Sequence, residues 1–167
     1  LGGSTTSRLT MDLREAKGWA YGAGTALPGV KDTIPLLVYA PVQTDKTGES
    51  IIAARKDITE YLTTKGTTEA ERNQTINGQI LSLPGSFETS SDLLSAMMRN
   101  DLLGRADDFY ETLPATYRAM TATDFDKAAR EAINADGLIW VVVGDAKLVR
   151  PQLDAVGLPV EMGTLAD

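Results

Sequence analysis

Apolar positions near the start of the chain predict a short amphipathic helix. Leu9, Leu13 and Ala16 recur at i, i+4 and i+7, which places them on one face of a helix over residues 7–17. Gly18 follows, and glycine is the residue most often found where a helix ends in a left-handed conformation. We therefore expect a helix with one buried stripe that stops at this glycine.

Two strands are predicted next, over residues 19–27 and 34–43. The first alternates with a period of two, and one of its faces carries only small side chains, which indicates that another backbone approaches closely. The second contains Pro35 and Pro41, which have no N–H group to donate to a ladder. We therefore place the second strand near a sheet edge or expect it to have irregular ends. Pro28 and Gly29 mark the turn between the two strands.

The middle of the chain has helical periodicity broken by turn residues. Residues 47–64 predict a helix that Gly66 follows, and Thr68 with Glu71 matches a capping box for the next helix. That helix ends near Leu83, before a Pro-Gly pair. Further helices are expected from Ser86 or Thr89 through Leu102, over 109–120, and from Thr121 to Ile133.

The run Leu-Ile-Trp-Val-Val-Val at 138–143 predicts a buried strand, because its continuous apolar character is typical of a strand covered on both faces or covered thickly on one. A short helix and a last short strand near 158–161 follow. The order of elements is not a regular alternation of strand and helix. The fold class predicted is α+β: a mostly antiparallel sheet with helices packed on one face.

Composition excludes several kinds of active site. The 167 residues include no cysteine and no histidine. Catalytic zinc sites usually need imidazole or thiolate ligands, and a Ser-His-Asp triad needs histidine. We therefore expect no catalytic residue, no metal ligand and no cofactor in this chain.

Charge and hydropathy narrow the range of partners. The net charge is −7, and no basic stripe is visible, so we expect neither nucleic acid nor an anionic membrane surface as a partner. No apolar run reaches the roughly 18 residues of a membrane span. The chain begins at Leu1 rather than Met, and we expect it to be a fragment or a processed product.

Arg14 and Tyr21 are the residues of interest in the first segment. Arg14 falls on the last turn of the predicted helix, and Tyr21 falls on the following strand. Taken alone, Arg14 can be explained as a cation at a helix C-terminus, and Tyr21 as a strand aromatic that packs on a neighbour. The residues by themselves leave this structural explanation and a functional one open.

A resemblance favours the functional explanation. The opening LGGSTTSRLTMDLREAKGWAYGAG is similar to the start of the C-terminal half of pitrilysin/insulinase/mitochondrial-processing-peptidase zinc metallopeptidases. Leu113-Pro114, the run at 120–124 and Val-Val-Val-Gly-Asp at 141–145 resemble later parts of that half. The glycine-rich loop of the processing-peptidase alpha subunit is missing, which favours a bacterial-type peptidase.

The resemblance implies a half-clamshell domain without zinc. In that family one half carries an H-x-x-E-H zinc motif, and the other contributes an arginine and a tyrosine, spaced as Arg14 and Tyr21 are here, that bind substrate carbonyls. Residues 1–167 are then one C-terminal inactive domain that lacks its first strand and helix. Zinc is expected in a catalytic partner half, either in the same polypeptide or in a separate subunit.

The function that the resemblance implies is the non-catalytic, substrate-binding half of a zinc metallopeptidase that degrades peptides. The first alternative is a structural scaffold subunit of the same fold, and the second is an unrelated α+β module that binds a small ligand. Bacterial relatives are often exported, so a periplasmic location is expected, with the cytoplasm as the alternative.

Other motifs have simpler explanations. The segment Gly2-Gly3-Ser4 lacks the pattern of a phosphate-binding loop. Asp107-Asp108 suits a solvated loop, and Asp124 suits a helix N-terminus better than a metal site. Met97-Met98 is expected to fill the core.

Overall fold

The computed structural model describes residues 1–28 and 35–163, and its backbone there is mainly helical. The α-helices are α1 (Arg8–Thr10), α2 (Thr47–Thr63), α3 (Glu69–Ser82), α4 (Ser90–Leu102), α5 (Phe109–Ala119), α6 (Ala122–Ala132) and α7 (Ala146–Val156). A π-helix (Met11–Ala16) continues α1, and 3₁₀ turns cover Thr44–Lys46, Pro84–Phe87 and Ala135–Gly137. The two strands are β1 (Gly24–Ala26) and β2 (Leu37–Tyr39).

The chain divides into two compact units. The first unit contains the described residues 1–28, 35–63 and 134–163, and therefore both strands and helices α1, α2 and α7. The second unit contains residues 64–133 and helices α3 to α6. No helix in the described ranges combines the length and the hydropathy that a membrane span requires.

The sheet is much smaller than the sequence predicted. Strands β1 and β2 pair antiparallel with Gly24 opposite Tyr39, and an isolated bridge joins Ala20 to Val42. The antiparallel direction is confirmed, but the emphasis on a sheet was overstated, because most of 19–27 and 35–43 lies outside any ladder. Pro35 and Pro41 cannot donate, which limits the pairing of the second strand. The predicted turn residue Gly29 and Ile34 lie outside the described residues.

Close contacts occur at Gly24, on the small face of the first strand, and at Gly2 near the start of the chain, whereas Gly22 of the same small face has no neighbour within 4 Å. A Cβ on Gly24 would lie 2.7 Å from the Tyr39 hydroxyl, and one on Gly2 would lie 2.5 Å from the Thr25 methyl. The Gly2 carbonyl also accepts a hydrogen bond of 2.9 Å from the Thr25 N–H. The first residues of the chain therefore lie directly alongside β1.

The prediction of a paired strand at 138–143 is wrong. Within the described residues this stretch joins no ladder, and the same holds for 158–161. Ile139, Val141 and Val143 are exposed rather than buried. The apolar run predicted burial, and the described residues do not supply the covering layers.

The core of the first unit forms where α1 and the π-helix pack against α2. Leu9, Leu13 and Ile58 are almost completely buried. Ala16, which was predicted to share the stripe of Leu9 and Leu13, is exposed. The reason is the π-helix, whose wider turn shifts the phase of every residue after Thr10 relative to a 3.6-residue repeat.

Helix starts in the second unit follow the sequence closely. Thr68 and Glu71 form the predicted capping box, with the Glu71 N–H 3.2 Å from the Thr68 hydroxyl and the Thr68 N–H 2.8 Å from the Glu71 carboxylate. Thr89 with Asp92 and Thr121 with Asp124 form two more. The start of α4 is therefore at Thr89 and not at Ser86, since only the threonine is followed three residues later by an acid.

Replacing Leu13 by alanine tests the importance of this core. Leu13→Ala removes a side chain with 1% exposure, so we expect the free energy of unfolding to fall by about 2–5 kcal/mol. Met11→Ala changes an exposed side chain of the same π-helix and should cost less than about 0.5 kcal/mol. Urea denaturation followed by tryptophan fluorescence measures both. Equal losses for the two variants would show that the core does not depend on Leu13.

Candidate substrate-binding site

A tight reversal of the chain after the π-helix places Arg14 near Tyr21. The Leu13 carbonyl accepts two hydrogen bonds, from the N–H of Trp19 at 2.9 Å and from the N–H of Ala20 at 3.2 Å. Gly18 has φ of +65°, a conformation that side chains with a Cβ rarely adopt. Helix, glycine and returning chain therefore form one compact turn, as the sequence predicted for the helix end.

The chain that returns after Gly18 is held in place by the bridge from Ala20 to Val42 and by hydrogen bonds from Gln43. The Gln43 N–H donates to the Trp19 carbonyl at 2.8 Å, and its side-chain amide donates to the Gly18 carbonyl at 2.9 Å. Further along, the buried Thr10 hydroxyl donates to the Ala23 carbonyl at 2.7 Å. Tyr21 thus lies on a short stretch of chain whose backbone is held on both sides.

Arg14 and Tyr21 meet at the surface of the first unit. The Arg14 guanidinium carbon lies 5.4 Å from the centre of the Tyr21 ring, a cation–π distance. The Tyr21 residue is 88% exposed, and its hydroxyl makes no hydrogen bond in the described part of the chain. The Arg14 Nε also lies 3.2 Å from the Glu15 carboxylate in a solvent-exposed ion pair of small energetic value.

The pair offers hydrogen-bond donors to a ligand from two neighbouring side chains. A guanidinium carries five N–H donors in a fixed plane, and a phenol carries one O–H donor that can also accept. Packing against the Tyr21 ring restricts the guanidinium without using all its donors. Chemically, this arrangement suits an acceptor such as a peptide carbonyl or a carboxylate.

A second aromatic residue lies on the same turn between two cations. The ammonium groups of Lys17 and Lys46 lie 5.5 Å and 5.6 Å from the Trp19 ring. Lys17 also forms an ion pair with Asp12 across the π-helix. Lys46 pairs with Glu49 at 3.0 Å and Arg14 with Glu15, so each of the three cations at the turn has an acidic neighbour.

Asp57 on α2 faces this region in an unfavourable environment. One of its carboxylate oxygens is buried without a hydrogen-bond partner in the described residues. Burial raises the pKa of the Asp57 carboxyl, the nearby Asp12 raises it further, and Lys17 opposes the shift. Glu60 adds to the rise and Lys56 opposes it. The carboxylate therefore destabilises the folded state when it is ionised.

The residues of this chain do not fit a catalytic zinc ion. Histidine and cysteine are absent from the sequence. In the ranges 1–28 and 35–163, no three acidic side chains come together in a group that could hold a metal. Asp107, Asp108 and Asp124 therefore keep their structural explanations, and Asp124 acts as the capping partner of Thr121.

Sequence reasoning missed several residues that shape the site. Trp19, Lys46 and Gln43 were not singled out, because their contacts join positions that are 24 to 27 residues apart only after folding. Asp57 carried a readable signal, since it is a carboxylate next to Ile58 on the apolar face of a predicted helix. Thr10 carried a similar one as a hydroxyl beside Leu9.

Comparison with known proteins gives a family match for the first part of the chain. Residues 1–79 match the family model described as the peptidase M16 inactive domain. This part of the chain is similar to the peptidase M16 inactive domain. The resemblance inferred from the opening segment is thereby confirmed, and both Arg14 and Tyr21 lie within the matched residues.

Curated relatives agree with the M16 assignment. Proteins named as uncharacterized zinc proteases from Mycobacterium tuberculosis and Mycobacterium bovis are 32% identical over 106 residues, which are 61% of this chain and 23% of each relative. The match thus spans about a quarter of the length of the curated relatives.

Solved structures share the fold of this chain. A peptidase M16 inactive domain from Pseudomonas fluorescens has a TM-score of 0.73 at 18% identity, over 81% of this chain and 32% of that one. A protease from Helicobacter pylori has a TM-score of 0.60 at 17% identity, over 78% and 31%. A conserved protein from Enterococcus faecalis has a TM-score of 0.60 at 21% identity, over 77% and 30%.

The environment of Asp57 predicts the sign of a pH effect. Its pKa is raised in the folded state, so stability is greatest below its unfolded pKa and is lost as pH rises through the folded value. We therefore expect Asp57→Asn to be more stable than the parent at pH 7, with a difference that shrinks on acidification. Denaturant titrations between pH 3 and pH 7 measure this difference in the free energy of unfolding. The range covers about four pH units around ordinary carboxyl pKa values.

Asp124→Asn is the control, because the change in stability expected at pH 7 has the opposite sign. Hydrogen bonds from Thr121 lower the pKa of Asp124, so its contribution is present above the unfolded pKa and is lost as pH falls through the folded one. Asp124→Asn should therefore be less stable than the parent at pH 7, and this deficit should shrink on acidification. If Asp57→Asn also loses stability at pH 7, the Asp57 assignment is wrong.

Proposed function

We propose that this chain is the non-catalytic, substrate-binding half of a zinc metallopeptidase that degrades peptides in a closed chamber. The observation that carries the proposal is the exposed pair of Arg14 and Tyr21, 5.4 Å apart from guanidinium carbon to ring centre, on an anchored turn inside the matched segment. The name zinc protease given to the mycobacterial relatives supports the class of reaction.

A peptide in an extended conformation supplies the ligand that this pair suits. Its carbonyl oxygens need donors when the peptide leaves water, and bound extended peptides are recognised largely through the main chain. Arg14 offers charged, planar donors to one such oxygen. Tyr21 offers a neutral hydroxyl, which can donate to a carbonyl that gains negative charge during cleavage.

Zinc and its activated water are assigned to a catalytic half, because the residues of this chain do not fit the metal. That half is either part of the same polypeptide or a separate subunit. The chain described here contributes a wall of the chamber and the donors on it. A periplasmic location belongs to the same proposal, rests on the family resemblance alone, and has the cytoplasm as its alternative.

Removing the Tyr21 hydroxyl tests its proposed role in the reacting complex. In the protein assembled with its catalytic half, we expect Tyr21→Phe to lower kcat by about 10²–10³, by comparison with other donors to a developing oxyanion. KM should change little, because the phenyl ring and its packing on Arg14 remain. Tyr39→Phe, at another exposed tyrosine of the first unit, is the matched control and should keep parental kcat.

Replacing Arg14 tests whether the pair holds the substrate. We expect Arg14→Ala to weaken peptide binding by about 10–100-fold, since a hydrogen bond to a charged donor contributes roughly 1.5–3 kcal/mol. Arg14→Lys keeps the charge but loses the planar set of donors, so it should recover only part of the affinity. Arg55→Ala, at a partly exposed arginine on α2, is the control.

These variants separate a peptidase half from a scaffold subunit. A scaffold has no need of either side chain, so peptide binding and turnover that are unchanged in both Arg14→Ala and Tyr21→Phe would overturn the proposal. Thermal unfolding of each variant shows whether a loss of activity arises from the site. Both side chains are partly or largely exposed, so we expect parental stability.

A further inference from the structure

Tyr21 lies in a short span of main chain that is held at both ends by one helical segment. The Leu13 carbonyl accepts the N–H of Ala20, directly before Tyr21, at 3.2 Å. The Thr10 hydroxyl donates to the carbonyl of Ala23, shortly after Tyr21, at 2.7 Å. The span between the two held residues, 21–22, is called here the Tyr21 span.

The segment that holds the Tyr21 span is also the one that carries Arg14. Thr10 is the last residue of α1, and Leu13 belongs to the π-helix in which Arg14 lies. The side chains of Leu9 and Leu13 are buried, which fixes this segment in the core. One support therefore positions both the guanidinium and the main chain that carries the phenol.

Packing contributes little to the position of Tyr21. Its side chain is 88% exposed and contacts the Arg14 guanidinium through the face of the ring. The next residue is Gly22, and a Cβ placed there would meet nothing within 4 Å. Glycine is the residue with the greatest backbone freedom. The position of the phenol therefore depends on the hydrogen bonds at the two ends of the span.

The Thr10 hydroxyl is buried and oriented toward Ala23. The residue is 2% exposed, and a hydroxyl has one proton to donate and two lone pairs that accept. The proton goes to the Ala23 carbonyl at 2.7 Å rather than to the Ser4 carbonyl at 3.4 Å, because the shorter distance is the normal one for an O–H donor. The Ser7 hydroxyl, 3.3 Å away, is then the donor to the Thr10 oxygen.

The bond from Thr10 shortens the stretch of chain that is free to move. Strand β1 begins at Gly24, which lies opposite Tyr39 in the ladder. Without the bond, residues 21–23 would connect the held Ala20 to β1, whereas with it only 21–22 are free. Each additional free residue adds backbone conformations. The bond thus narrows the range of positions that the phenol can take.

We propose that Thr10 is a positioning residue that acts through Tyr21. Its hydroxyl holds the Tyr21 span so that the phenol stays beside the Arg14 guanidinium, where it donates to a carbonyl of the substrate. This inference rests on the proposed function, because it needs the phenol to act as a donor in the reacting complex. Thr10 is buried, so its effect on turnover passes through Ala23 and the main chain of the span.

The alternative is a structural hydroxyl that only satisfies the Ala23 carbonyl. A carbonyl that loses its partner destabilises the fold, so removing the Thr10 hydroxyl lowers stability under either explanation. Dependence on the Tyr21 hydroxyl separates the two. A positioning role affects turnover only while the phenol is present, whereas a structural role has the same effect with tyrosine or phenylalanine at position 21.

Two substitutions of Thr10 separate its hydroxyl from its shape. Valine keeps the branched side chain and loses the hydroxyl, whereas serine keeps the hydroxyl and loses the methyl group. In the protein assembled with its catalytic half, we expect Thr10→Val to lower kcat by about 10–100-fold, since a small displacement of an acting group has an effect of this size. KM should change little. Thr10→Ser should keep parental kcat, even where it is the less stable variant.

The decisive measurement repeats Thr10→Val in the Tyr21→Phe protein. There it should change kcat by less than about twofold, because two residues that act as a unit are not additive. Thr47→Val is the matched control, since Thr47 is 7% exposed and its hydroxyl donates to the Thr44 carbonyl at 3.0 Å. It should lose stability in urea denaturation and keep parental kcat.

Ser7→Ala is a milder second variant that keeps the test valid if Thr10→Val folds poorly. It removes the hydroxyl that donates to Thr10 and leaves the buried side chain intact. We expect a smaller loss of kcat than in Thr10→Val, again only in the protein that retains the Tyr21 hydroxyl.

Three results would overturn the inference. They are parental kcat in Thr10→Val, an equal loss of kcat with tyrosine and with phenylalanine at position 21, and a kcat that falls in Thr47→Val as much as in Thr10→Val. Failure of the proposed function has a different signature, because Tyr21→Phe alone would then keep parental kcat. If Tyr21→Phe is slow and Thr10→Val is not, only the role of Thr10 is wrong.

Discussion

Leu13 is the residue through which the core and the candidate site of the first unit depend on each other. Its side chain is 1% exposed in the packing of the π-helix on α2, and its carbonyl accepts the N–H groups of both Trp19 and Ala20. One residue therefore fixes the helix to the core and fixes the returning chain to the helix. Arg14 directly follows Leu13, and Tyr21 directly follows Ala20, whose N–H donates to the Leu13 carbonyl. The distance between Arg14 and Tyr21 therefore follows from these two constraints.

The π-helix explains why the site is exposed while its support is buried. The wider turn moves Ala16 out of the buried stripe and leaves Arg14 on the solvent side, whereas Leu9 and Leu13 stay inside. π-helical turns are rare and are found frequently at functional sites. Here the π-helical turn orients the Leu13 carbonyl so that it accepts hydrogen bonds from the N–H groups of the residues six and seven positions later.

Local signals in the sequence were sufficient for helix positions but not for contacts. Thr68 with Glu71 fixed the start of α3, and Gly18 marked the end of the first helix, because caps and positive φ depend on a few adjacent residues. Arg14 and Tyr21 were placed on consecutive elements by the same reasoning. The same reasoning could not give the distance between the two side chains. A helix with a regular 3.6-residue repeat makes Ala16 the next buried position, whereas in the π-helix Ala16 is exposed.

The sheet was overpredicted for a different physical reason. A helix satisfies its own main chain, whereas a strand is defined by a neighbour that can be far away in sequence or in another polypeptide. The run Leu-Ile-Trp-Val-Val-Val has the composition of a strand between two covering layers. In the described residues it joins no sheet, and Ile139, Val141 and Val143 are exposed. Composition indicates which side chains favour burial, but pairing depends on a neighbour that the run itself does not contain.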